Sequence, residues 1–70
     1  MIEVTAPMVG KVLRVEAPVG TRVKENDVVL VLEAMKMHVE VYSPGSGVVS
    51  EVLTSEGEVV KAGSRLMVLE

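Results

Sequence analysis

Cysteine, tryptophan and phenylalanine are absent from this 70-residue chain, and Tyr42 is its single aromatic side chain. Without cysteine there are no disulfides and no thiolate metal site to brace a small fold. One histidine, His38, with no cysteine and no convergent carboxylates, makes neither a metal site nor a general base, and it reads as a surface residue at a strand edge. Basic residues are outnumbered by acidic ones, 7 to 10, for a formal charge of −3. They are scattered, with no stacking aromatics among them, which argues against nucleic acid as a partner. No apolar run approaches the roughly 20 residues of a membrane-spanning helix, so no membrane insertion is expected. The N-terminus lacks the charged-then-apolar order of a signal peptide. A soluble, cytoplasmic protein is the resulting expectation.

What remains must build a core unaided. A chain of this length forms one small domain, residues 1–70, and buries only about 60% of its unfolded surface. Hydrophobic residues make up 49% of it, and seventeen of the 70 are valine. Valine is stiff at its first side-chain torsion and fits a pleated sheet, so the composition predicts an all-β fold.

The chain also repeats itself. Residues 3–33 align with residues 40–70 at a constant offset of 37, without a gap and with 12 identities in 31 pairs. Glu3 falls on Glu40, Pro7 on Pro44, Gly10 on Gly47, Gly20 on Gly57 and Val31-Leu32-Glu33 on Val68-Leu69-Glu70. Two copies are too few for a solenoid, which needs three or more repeats to bury its faces. They predict a closed object with approximate two-fold symmetry.

Short apolar runs alternate with turn formers. Strands are expected at Ile2–Thr5, Gly10–Val15, Thr21–Val23 and Val28–Glu33. Their counterparts in the second half are His38–Tyr42, Gly47–Val52, Glu58–Val60 and Arg65–Glu70. Eight short strands at this spacing predict a sandwich or barrel. The interval of three between Val12 and Val15 breaks period-two alternation, and a bulge or an early strand end would resolve it. Val28–Leu32 is apolar on both faces, as in a strand buried on both sides or beside a closed core.

Between the copies lies Glu33-Ala34-Met35-Lys36-Met37, without a glycine, proline or asparagine although a turn is required. Its composition is that of a helix. The repeat favours a hairpin instead, because only four residues separate Glu33 from His38, too few for a stable helix. Lys36 would then project from the tip between Met35 and Met37. The methionines suit either of two roles, capping the core or meeting a partner. Lys24 and Lys61 are repeat mates in equivalent turns and read as solvated.

At the level of motifs the chain resembles a biotinyl domain, the carrier module of biotin-dependent carboxylases and decarboxylases. Ala34-Met35-Lys36-Met37 is similar to that family's attachment motif. Ala6-Pro7-Met8 before Gly10, and Ser43-Pro44-Gly45-Ser46-Gly47, are similar to its flanking pattern. The resemblance implies a flattened barrel-sandwich hybrid of two four-stranded antiparallel sheets with quasi-two-fold symmetry. It implies biotin joined to Lys36 through an amide by a biotin protein ligase, with Ala34, Met35 and Met37 completing the motif. It further implies that a biotin carboxylase loads the tethered cofactor and a carboxyltransferase or decarboxylase unloads it, the carrier itself catalysing nothing. Some members carry an inserted thumb loop in the first half. Here Val15–Thr21 matches Val52–Glu58 without a gap, so no thumb is expected. A lipoyl domain of a 2-oxo acid dehydrogenase shares the fold, but its lysine is usually preceded by aspartate and followed by alanine. A third reading is an unmodified interaction module in which Lys36 is incidental.

Overall fold

The computed structural model describes residues 1–70 and contains eight strands and no helix. They are β1 (Ile2–Thr5), β2 (Gly10–Val15), β3 (Arg22–Val23), β4 (Val28–Ala34), β5 (Met37–Tyr42), β6 (Gly47–Val52), β7 (Val59–Val60) and β8 (Arg65–Leu69). Two four-stranded sheets result, ordered β1-β8-β6-β3 and β5-β4-β2-β7, with every pairing antiparallel.

The repeat governs this topology. Adding 37 turns β1, β2, β3 and β4 into β5, β6, β7 and β8, and so turns one sheet order into the other. Each sheet therefore takes two strands from each half, and neither half can close its core without the other. Hydrogen bonds between strand ends follow the same symmetry. Ala6 N–H donates to Ser64 O at 2.9 Å, and its mate Ser43 N–H donates to Asp27 O at 2.8 Å. The Lys24 amide donates to Asp27 Oδ2 at 2.8 Å, and the Lys61 amide donates to Ser64 Oγ at 3.1 Å. These are side chain-closed turns, with Asn26 and Gly63 in the left-handed region that both residues tolerate.

The predicted irregularity after Val12 is present. The β2–β4 register shifts between Val12 and Arg14, and the β6–β8 register shifts between the repeat mates Val49 and Glu51. A second bulge explains the long apolar run. Where Val28 opposes Tyr42 and Leu30 opposes Val41, Val29 is the extra residue. Val29 and Leu30 consequently both enter the core cluster, as do their mates Leu66 and Met67 in β8. Val31 is just as buried but lies outside that cluster. The core is aliphatic, built on Leu30, Leu32, Leu66, Met67, Leu69 and the inward valines, and no buried side-chain polar atom lacks a partner. The chain contains no helix long and apolar enough to cross a membrane.

Gly10 sets the site end of the second sheet. A Cβ added there would stand 2.9 Å from Glu33 O and 3.4 Å from Leu32 Cβ. Its mate Gly47 faces Glu70 O and Leu69 Cβ at 2.8 and 3.3 Å. Only glycine lets β2 approach the end of β4 this closely.

Candidate functional site: the β4–β5 hairpin

The junction of the two halves is a hairpin, tighter than expected from sequence. The repeat predicts four residues in the bend, but Ala34 and Met37 pair with each other and leave a two-residue loop, Met35-Lys36. Both loop residues have positive φ, 53° and 65°. This is the type I′ arrangement, whose twist matches the strands it joins and which Asn-Gly normally supplies. Side chains with a Cβ are strained there by about 1–2 kcal/mol each. The flanking ladder, Leu32–Val39 and Glu33–His38, holds the loop in this state.

The strained loop puts its side chains into solvent. Met35 is 94% exposed and Met37 68%, so neither caps the core. Lys36 is exposed as well, and neither of the chain's two ion pairs, Arg14–Glu16 and Arg65–Glu3, involves it. Ala34 is half-buried at the end of β4. The four motif residues thus form one continuous tip, with Lys36 in its two-residue loop. No pocket indents the surface and no cluster of acidic or histidine side chains could hold a metal ion.

The other titratable residues near the tip are not assembled around it. His38 is exposed on β5, the edge strand, opposite Glu33, whose other cross-strand neighbour is Lys11. Lys24 and Lys61 are exposed in their turns. Farther along β5 the Tyr42 hydroxyl donates to Glu40 Oε1 at 3.0 Å. That hydrogen bond, with the carboxylate's charge, pushes the Tyr42 pKa above the ordinary phenol value.

The family described as "Biotin-requiring enzyme" matches residues 2–69. The chain belongs to this family. As a biotinyl domain it has relatives along nearly its whole length. It is 43% identical over 67 residues to the biotin carboxyl carrier protein of acetyl-CoA carboxylase from Solanum lycopersicum, covering 96% of each chain. It is 42% identical over 64 residues to the biotin carboxyl carrier protein of Streptococcus mutans, covering 91% of this chain and 49% of that one. The domain therefore spans about half the length of that bacterial relative. Among solved structures, the Kluyveromyces lactis urea carboxylase superposes at TM-score 0.91 with 31% identity, over 97% of this chain and 6% of that one. The lipoyl domain of the Azotobacter vinelandii 2-oxoglutarate dehydrogenase complex superposes at TM-score 0.79 with 28% identity, over 100% and 96%. The two carrier types share this fold, as the sequence reading expected.

What sequence reasoning missed is the exposure of Val9 and Val59. Both are exposed, at 60% and 68%, although valine in a strand-rich chain reads as core. A usable signal was present in the repeat, where their mates are Ser46 and Arg22.

Proposed function

We propose that this biotinyl domain carries biotin on Lys36 Nζ and shuttles a carboxyl group between a biotin carboxylase and a carboxyltransferase or decarboxylase. The observation that supports the reading is the unpaired amine at the tip of a hairpin whose loop is held in a strained conformation. Bound biotin would supply a ureido nitrogen able to accept and release a carboxyl group. The chain's own contribution is placement and tethering, and it performs no catalysis.

Attachment is a balanced acyl transfer. The ammonium of Lys36 first loses a proton, a task for the ligase. Nζ then forms the amide bond to an activated carboxyl carbon, and the activating group departs with its electron pair. The side chain's positive charge is lost, taking the formal total from −3 to −4. The barrel fixes where the arm begins, and tethering converts each later encounter into an effectively intramolecular one. Ala34, Met35 and Met37 make the contact surface around the amine. Cytoplasmic residence, one domain spanning 1–70 and the ligase as first partner belong to the same proposal.

The test is expression with a biotin protein ligase, followed by intact mass and streptavidin blotting. One biotinyl group per chain supports the proposal. A lipoyl group would mark a dehydrogenase carrier, and no modification would mark an interaction module.

A further inference from the structure

Eight large apolar side chains are exposed in this domain: Met1, Met8, Val9, Val19, Met35, Met37, Tyr42 and Val59. Five of them gather at the lysine end of one sheet. Met35 and Met37 flank Lys36. Met8 and Val9 lead into Gly10, which abuts Glu33 at the end of β4. Val59 opposes Lys11, which in turn opposes Glu33. Strands lie about 4.8 Å apart, so Val59 stands about 10 Å to the side of Glu33. A standard interface of about 800 Å² per partner corresponds to a disc of about 16 Å radius. Centred on the hairpin, such a disc takes in all five.

The molecule carries its own control. At the symmetry-related end the same backbone positions hold Gly45 in place of Met8, Ser46 in place of Val9 and Arg22 in place of Val59. That end forms the same strands and the same pairings, Val23 with Gly47 and Arg22 with Val48. The fold therefore does not require apolar residues at these positions. At these three pairs of positions the apolar members are the ones at the amine's end.

We propose that Met8, Val9 and Val59 extend Met35 and Met37 into an apolar docking collar for the ligase that acylates Lys36. The inference rests on Lys36 being the attachment site and adds residues distant from it in sequence. The occupant follows from reach. An enzyme acting at Nζ itself must bring its active site onto the hairpin and cover the surface beside it. Enzymes acting on the far end of a modified lysine meet the end of a long arm and need not touch Val9 or Val59. Burying exposed valine and methionine surface supplies non-directional affinity, and the single amine in its centre supplies the register.

The double variant Val9→Ser/Val59→Arg tests this, since each new residue already occupies the equivalent backbone position in the other half. Initial rates of biotin incorporation are measured with a biotin protein ligase, ATP and biotin, alongside Ser46→Val/Arg22→Val at the symmetry-related end. The collar variant is expected to lose about tenfold or more in kcat/KM through a raised KM, with folding verified by far-UV circular dichroism. The control is expected to match the parent. Val9→Ser alone provides a milder version should the double variant misfold. Labelling of the collar variant at the parent rate overturns the proposal, even if carboxylation of the labelled product then falls, and so does an equal loss in the control. A parent chain that accepts no biotin would overturn the attachment reading as well, and is recognised before any variant is compared.

Discussion

The strain in the hairpin loop can be released by substitution. Met35 and Lys36 occupy the left-handed region, where a residue with a Cβ costs about 1–2 kcal/mol. Asn-Gly is the preferred pair for a two-residue loop of this kind. In Met35→Asn/Lys36→Gly, glycine removes the strain at position 36 but adds about 0.5–1 kcal/mol of unfolded-state entropy. Asparagine, whose short side chain hydrogen-bonds locally, relieves part of the strain at position 35. Neither native side chain contributes packing, since both are exposed. The net expectation is a gain of about 1 kcal/mol. In a domain of this size that raises Tm by about 4–8 °C. Urea unfolding followed by far-UV circular dichroism should show a higher midpoint with an unchanged slope, the mark of altered stability rather than altered compactness. Met35→Asn alone should give a fraction of the gain while keeping the amine. A midpoint that stays put or falls in the double variant would refute the claim that the loop is strained. The double variant also lacks the lysine, so the stabilised protein should accept no biotin.

Gly10→Ala should destabilise by about 1–3 kcal/mol, because its Cβ meets the backbone oxygen of Glu33 rather than a side chain that can move aside. Urea unfolding measures the loss, and a value within error of the parent would show that β4 shifts freely. Tyr42 is the only aromatic residue, so tyrosinate absorbance reports it alone. Its ionisation should fall to lower pH in Glu40→Gln, which removes the carboxylate that holds the phenol neutral. The linked sign follows from a raised folded-state pKa: any stabilisation is complete below the unfolded phenol's pKa and is lost as pH rises through the folded one. An identical titration in both proteins would contradict the hydrogen bond.

The order of strands was legible because turn formers punctuate the sequence and valine fills what lies between. Strand ends moved by a residue where local composition is neutral. Thr21 and Glu58 fall outside β3 and β7, and Ala34 and Met37 join β4 and β5. The bend was harder, since Met-Lys carries no turn propensity and its conformation is imposed by the ladder on either side. The bulge after Val12 was visible as a broken period. The bulge at Val29 was not, because a continuous apolar run hides which residue is extra. The exchange of strands between halves lies beyond local reading altogether. Lys36 was conspicuous through its motif, whereas Val9 and Val59 were masked by their chemistry and become notable only beside Ser46 and Arg22.

Peptide mapping of the ligase-treated protein, run in parallel on Lys36→Arg, bears on the claim that the exposed hairpin amine is the acylated group. Biotin is expected on the peptide containing Lys36 in the parent and on no peptide of the variant, whose circular dichroism should match the parent's. Label on Lys11, Lys24 or Lys61 in the parent, or label retained by a folded Lys36→Arg, would contradict it.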